Sequence, residues 1–384
     1  MPRFAPPASF AAALVAVAIG FGGTVALVVQ SGQTLGATPS QIISMLAALA
    51  LGIGIPGAVL SWRLKIPVVL AWSTPGAALL AAAQAGYDWP SAIGAFVVAA
   101  ILMVITGMVP VLGRLAARIP PGIASGMLAG VLLPFCLKLF AAAPTDLPLI
   151  GGLVGSYFVM RRYAARWALP AVLVLAFGVL IWRGQLTLPE GGLLLGQLAP
   201  VMPVFDMKAV IGLAIPLYLV TLASQNLPGL VVLRAAGYEP PANRLIFWTG
   251  AASTMAAPFG SHGINLAAIT AAICTNPEAH PDHSQRWRVG VIYGLLYLLV
   301  AVFAAPLAGL FIGMPTHVLA AVTGIALLAP LIGALSSMMD DQSGREAGVL
   351  TFCVTASGLA LAGIGSAFWG LLAGFAALVI LRRT

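Results

Sequence analysis

The chain has 384 residues, 61% of them hydrophobic and only 7% charged, whereas a soluble domain carries about 25% charged residues. That balance excludes a water-soluble globular protein and indicates a polytopic membrane protein. The net charge of +8 raises the question of nucleic acid, but the positive residues are distributed in the pattern of membrane orientation instead.

Apolar segments of about span length follow one another with short polar breaks. The leading one, 10–31, is too long for a signal-peptide core and no convincing cleavage site follows it, so it reads as a retained first span. The others are 39–62, 66–85, 90–112, 119–142, 147–160, 167–182, 208–233, 245–258, 261–274, 289–312, 316–338, 347–363 and 366–381. If each crosses once, fifteen of the 18 Lys and Arg residues share one side, and only Lys138, Arg183 and Lys208 fall on the other. Such a bias places both termini in the cytoplasm, and dropping any one short segment would scramble it.

The expected fold is therefore all-α, with fourteen spans as two inverted seven-span repeats, 1–190 and 191–384. The fifth and twelfth segments carry a trace of the repeat. Ile119-Pro120 opens one, followed by Gly130 and Leu132-Leu133-Pro134; Met314-Pro315 opens the other, followed by Gly324, Leu327-Leu328 and Pro330.

Two stretches break the apolar pattern at matching places: Trp72-Ser73-Thr74-Pro75-Gly76 in the third segment and Pro258-Phe259-Gly260-Ser261-His262-Gly263 in the tenth. Breaks free backbone groups that lipid cannot satisfy, so they are tolerated where they line a cavity. A pair of them in corresponding places of two halves points to a transporter's binding site. The 245–274 run has two crossings to make. All-helical, it spans about 45 Å of the roughly 60 Å required, which places about eight extended residues within it, most naturally at 257–263. The 263–274 stretch then reads as a half-helix whose positive end meets an anion at mid-membrane, with Pro75 in the first turn of a matching half-helix capped by Ser73 or Thr74. Such a site needs no lysine or arginine. The alternative is that these are kinks packed on neighbouring helices.

The eighth segment adds Tyr218, Thr221, Ser224, Gln225 and Asn226; Tyr218, Thr221 and Gln225 have the spacing of one helical face, which should look inward. Interhelical hydrogen bonding is the competing explanation. The candidate substrate-binding residues are Ser73, Thr74, Gly76, Tyr218, Gln225, Asn226, Ser261, His262, Gly263 and Asn265, with Phe21 and Phe259 as apolar walls. His262 is the one histidine beside a break, and all ten carboxylates lie in loops or at span ends, so His262 is the candidate for proton coupling. His280 and His283 have a metal-like spacing but sit in a loop read as solvated. Cys136, Cys274 and Cys353 form neither a metal motif nor a disulfide framework. No catalytic residues, metal or cofactor are expected. The absence of a GxxxxGK[ST] motif argues against ATP-driven pumping.

The run Ser224-Gln225-Asn226-Leu227-Pro228-Gly229, and the run PFGSHGINLAAITAAIC at 258–274 continuing to Asp282, resemble the signatures of the benzoate/proton symporter (BenE-like) family. The resemblance extends over essentially the whole chain. It implies an inner-membrane carrier importing benzoate or a similar aromatic carboxylate with a proton, built like the nucleobase and sulfate carriers, with core and gate domains each drawn from both repeats. The implied partners are the acid, protons and the lipid bilayer, with a homodimer as a candidate assembly and no nucleic acid. Many nucleobase carriers place acidic residues where this chain has Gln225, Asn226 and His262. A carrier of another small anion or of a nucleobase, and an anion channel, are the competing readings.

Overall fold

A computed structural model describes residues 6–83, 86–111, 120–186 and 195–381. Arg3, Arg114, Arg118, Arg382 and Arg383, and the expected boundary between halves at 190/191, lie outside the described residues.

The described chain is mostly helical, and each expected apolar segment contains a helix, a broken helix pair or a strand–helix unit. The first half contains α1 (Pro7–Gly22), α2 (Val25–Thr34), α3 (Pro39–Leu64), β1 (Leu70–Trp72), α4 (Thr74–Ala81), α5 (Trp89–Met108), α6 (Pro121–Ala141), α7 (Leu147–Tyr163) and α8 (Ala168–Trp182). The second contains α9 (Met207–Ala235), α10 (Ala242–Ala256), β2 (Ile264–Leu266), α11 (Ile269–Thr275), α12 (Trp287–Val302), α13 (Ala304–Ile312), α14 (Thr316–Asp340), α15 (Arg345–Ala356) and α16 (Ser366–Leu381). By length and composition, six helices among the described residues are long and apolar enough to cross a membrane, counting α1–α2 and α6 with its terminal turn as one each. The pair α12–α13, bent by 66°, makes a seventh.

Helix starts follow local chemistry. Thr38 and Gln41 form a reciprocal capping box on α3, and the Asp88 carboxylate accepts the Ser91 N–H at the start of α5. Prolines occupy the first turns of α3, α4, α5, α6 and α7, where a missing N–H removes no intrahelical bond.

Packing joins the halves. α3 lies on α12, α5 on α10, and α6 on both α14 and α15. The α3–α12 crossing is backbone to backbone: a Cβ on Gly54 would stand 2.7 Å from the Gly294 carbonyl oxygen, and one on Gly294 would stand 2.6 Å from that of Gly54. Small residues let membrane helices approach this closely.

β1 and β2 pair antiparallel in the register Leu70↔Leu266, Ala71↔Asn265 and Trp72↔Ile264. Strands at this depth satisfy each other's backbone groups, which lipid cannot do. The extended part of the second break differs from the expectation. Residues 257–259 form a 3-10 turn, Gly260 takes a left-handed φ of 100°, and the chain is extended only from Ser261 onward. α11 accordingly starts at Ile269, not at Gly263. Proline at 258 fits the turn of a 3-10 segment, and β1 selects the paired residues further along. Another difference is at 347–363: α15 ends at Ala356, and Gly358 and Gly363, both with positive φ, lead through a Leu361–Ile364 bridge into α16.

The loop at 276–286 is exposed over most of its length, His283 included, as expected, but it folds back on itself. His280 and Arg286 are buried, and the Arg286 guanidinium donates to the His280 and Thr275 carbonyls at 2.9 and 3.0 Å. Ser9 ties the loop to α1 by donating to the Ala279 carbonyl. His283 stacks on Tyr238 with ring centroids 4.1 Å apart.

Candidate functional site

Four interruptions converge on one cavity of about 1130 Å³. Gly20, Gly23 and Thr24 come from the α1–α2 break, Trp72, Thr74 and Pro75 from β1 and α4, Ser224 and Gln225 from α9, and Ala267, Ala268, Ile269 and Thr270 from the β2–α11 junction. The opposite wall comes from α6, α7 and α14, with Leu128, Leu132, Ala326, Ala329 and Pro330 among its apolar members.

Each polar group has a local cause. Ser73 caps α4, its hydroxyl accepting the Gly76 N–H at 3.0 Å and lying 2.7 Å from the Thr221 hydroxyl of α9. The aligned peptide dipoles of α4 give that end a partial positive charge, although Pro75 has no N–H and those of Gly76 and Ala77 are taken by Ser73. The Trp72 indole donates to Thr24 at 2.7 Å, fixing the ring that forms one wall; Phe21 and Tyr297 meet that ring edge-on at 5.8 and 6.1 Å. In α9, a π-helical turn at Leu222–Asn226 replaces the regular helix. The extra residue shifts the phase of the helix, and π-turns inside α-helices commonly mark functional positions.

That phase shift separates the residues expected to share one face. Gln225 and its neighbour Ser224 line the cavity, whereas Tyr218 bonds the Thr106 hydroxyl at 2.6 Å and Thr221 bonds Ser73. Asn226 is fully buried and braces β2: its side-chain oxygen accepts the Leu266 N–H at 3.0 Å, and its amide points at the Met103 sulfur. Of the named candidates, Thr74 and Gln225 line the cavity; Ser73, Gly76, Asn226, Ser261, His262, Gly263 and Asn265 form the layer behind it. Phe21 and Phe259 are half-buried, Phe21 reaching the cavity through Trp72 and Phe259 lying on the 3-10 turn.

His262 is buried and bridges the two breaks. Its Nε2 lies 3.1 Å from the Ser73 carbonyl oxygen and its ring meets Phe96 edge-on at 6.4 Å. A carbonyl only accepts, so Nε2 carries the hydrogen and the neutral ring is the Nε2–H tautomer. Nδ1 is left as an acceptor with no partner among the described residues. The Gly263 carbonyl accepts the Ser73 N–H at 3.2 Å, so Ser73 is held from both sides by the tenth segment.

Sequence reasoning missed four contributors. Thr24 and Gly23 lie at a break marked only by Gly22-Gly23 inside an apolar run. Thr270 and Tyr297 line the cavity from largely apolar helices, where no local pattern marks them. Arg161, in the last turn of α7, also belongs to the cavity wall, away from the broken spans. Its position depends on how α7 packs, which no local motif records.

Helices broken around one central cavity, in a chain of many apolar helices, are the architecture of a membrane transporter. The model of the benzoate membrane transport protein family matches residues 3–380, and the chain belongs to that family. It is 38% identical over 379 residues to the inner membrane protein YdcO of Escherichia coli, covering 98% of this chain and 96% of the relative. It is 34% identical over 372 residues to the benzoate membrane transport protein of Acinetobacter baylyi, covering 97% and 94%. Among solved structures, the transmembrane domain of a cyanobacterium bicarbonate transporter, BicA, has a TM-score of 0.61 at 16% identity, over 92% of this chain and 97% of that one. The overall structure of SLC26A9 gives 0.63 at 15%, over 97% of this chain and 65% of that one. At these identities the structural likeness shows the shared fold alone.

Proposed function

We propose that this transporter moves benzoate or a similar small aromatic carboxylate together with a proton across the inner membrane. The observation that carries the reading is the cavity itself: largely apolar walls suited to a ring, with the positive dipole end of α4 and the Gln225 and Thr270 side chains to receive a carboxylate. Among the described residues neither Asp nor Glu lines it, which removes the acceptor that would select a nucleobase. A hydrated inorganic anion would leave the apolar wall without a function.

In this reading the chain crosses fourteen times as two inverted halves, 1–190 and 191–384, with both termini cytoplasmic. The packing supports it. Exchanging the halves maps the α3–α12 pair onto α10–α5, and β1 onto β2. α6, α7, α8, α14, α15 and α16 form a gate against the remaining core. Arg161 and Ser337 line the cavity at helix ends that the charge pattern assigns to the cytoplasm, so this conformation faces inward.

His262 carries the proton. Protonation enters at Nδ1, leaving the Nε2–H bond to Ser73 intact. A carboxylate at the α4 terminus then adds a negative charge near the ring, so acid and proton bind cooperatively, each strengthening the other by the same factor. Thermal stabilisation of the purified protein across a panel of small acids tests the substrate class. Benzoate-like acids should stabilise it; stabilisation by uracil or bicarbonate with none by aromatic acids would overturn the assignment.

A further inference from the structure

Among the described residues, Arg161 is the one charged side chain lining the cavity, and the broken-span site makes no use of it. It is exposed at the end of α7. Its guanidinium donates to the Tyr157 hydroxyl at 2.6 Å and lies 5.7 Å from the centre of that ring. Tyr157 is itself buried, so the cation is anchored on a fixed support. It has no carboxylate partner: Arg183–Asp146 is the one ion pair among the described residues.

An anchored, unpaired guanidinium beside apolar walls matches a carboxylate in charge and in its planar, two-pronged donor geometry. Low-dielectric walls focus its field into the cleft. The cavity, about 1130 Å³, exceeds the roughly 300–1,000 Å³ of pockets that enclose drug-sized ligands, so one small ring acid at the broken spans leaves the vestibule free.

We propose that Arg161, held by Tyr157, forms a second, vestibular carboxylate site, which the acid occupies between the broken-span site and the cytoplasm. This rests on the reading of a small carboxylate as substrate. The site is weaker than the inner one, because its cation is solvent-exposed, and salt screens it. Lys65 and Arg162, exposed outside the cavity wall, have no such role.

The test is equilibrium binding of radiolabelled benzoate to the full chain in phosphatidylcholine nanodiscs, at low and high salt. The wild type should bind in two classes, the weaker one losing affinity several-fold as salt rises. Arg161→Gln should lose the weaker class and keep the tighter one; Arg161→Lys should keep both, and Tyr157→Phe should weaken only the second. A single class in the wild type, or a weaker class that survives in Arg161→Gln, overturns the site. Competition by phosphatidylglycerol nanodiscs that abolishes the second class would make the occupant a lipid headgroup, and also overturns it. If the wild type binds no benzoate in either class, the substrate reading itself fails, a result distinct from loss of the second class alone.

Discussion

The Nε2 of His262 and the backbone carbonyl of Ser73 lie 3.1 Å apart, joining the extended stretch of the tenth segment to the capping residue of α4. Through the Ser73 hydroxyl the link continues to Thr221, one residue before the π-turn of α9. His262, the half-helix cap and the start of the π-turn are thus joined in one hydrogen-bonded chain behind the cavity.

If His262 carries the proton, His262→Gln keeps a donor toward the Ser73 carbonyl but removes the titration. The variant should exchange labelled for unlabelled benzoate across proteoliposomes at equal pH. It should lose accumulation driven by an imposed pH gradient. Gradient-driven accumulation at the wild-type level would leave His262 as a structural bridge only.

Ser73→Ala removes the α4 cap and strands the Thr221 hydroxyl. Losing an N-cap costs on the order of 1 kcal/mol, and an unsatisfied buried partner about 1–3 kcal/mol more. Ser73→Ala should lower the unfolding temperature measurably, and the double variant with Thr221→Val should recover part of the loss. Additive losses in that cycle would mean the two hydroxyls are not coupled.

Gln225→Ala and Thr270→Val remove polar groups from the cavity wall without opening the helix packing. A hydrogen bond to a charged ligand contributes about 1.5–3 kcal/mol, so each should weaken benzoate binding roughly tenfold or more while the empty protein unfolds as the wild type does. Unchanged affinity in both would place the carboxylate elsewhere.

Outside the membrane, Asp341 ties the α14–α15 turn to α6: its carboxylate accepts N–H groups of Gly122 and Gly344, each at 3.0 Å, and the Ser343 hydroxyl at 2.9 Å. Burial pushes its carboxyl up, but these donors outweigh burial and hold it below its ordinary 3.8. A group with a depressed folded pKa contributes its stability in full above the unfolded value and loses it as pH falls through the folded one. Wild-type stability should therefore drop below about pH 4, and Asp341→Asn should flatten part of that drop. An identical acid profile in the variant would contradict the assignment.

The apolar segments, the two breaks and the polar run in α9 were legible because each leaves a local mark: hydropathy, glycine and proline, or amides inside a span. The position of the extended stretch after Gly260 was not, since it is fixed by pairing with β1, an element of the other half of the chain. The π-turn was hidden for a related reason. Its residues have ordinary helical preferences, and the demands of Ser73 on Thr221 and of β2 on Asn226 fall on either side of the cavity-facing Gln225. Thr24, Thr270, Tyr297 and Arg161 enter the wall by tertiary packing alone.

The most direct test of the account is uptake of radiolabelled benzoate into proteoliposomes of the purified protein with the interior made alkaline, against protein-free liposomes that report unassisted passage of the neutral acid. The account predicts protein-dependent, saturable accumulation that collapses when a protonophore removes the gradient and that His262→Gln lacks. Uptake no greater than in protein-free liposomes, or protein-dependent flux indifferent to the gradient, would contradict it.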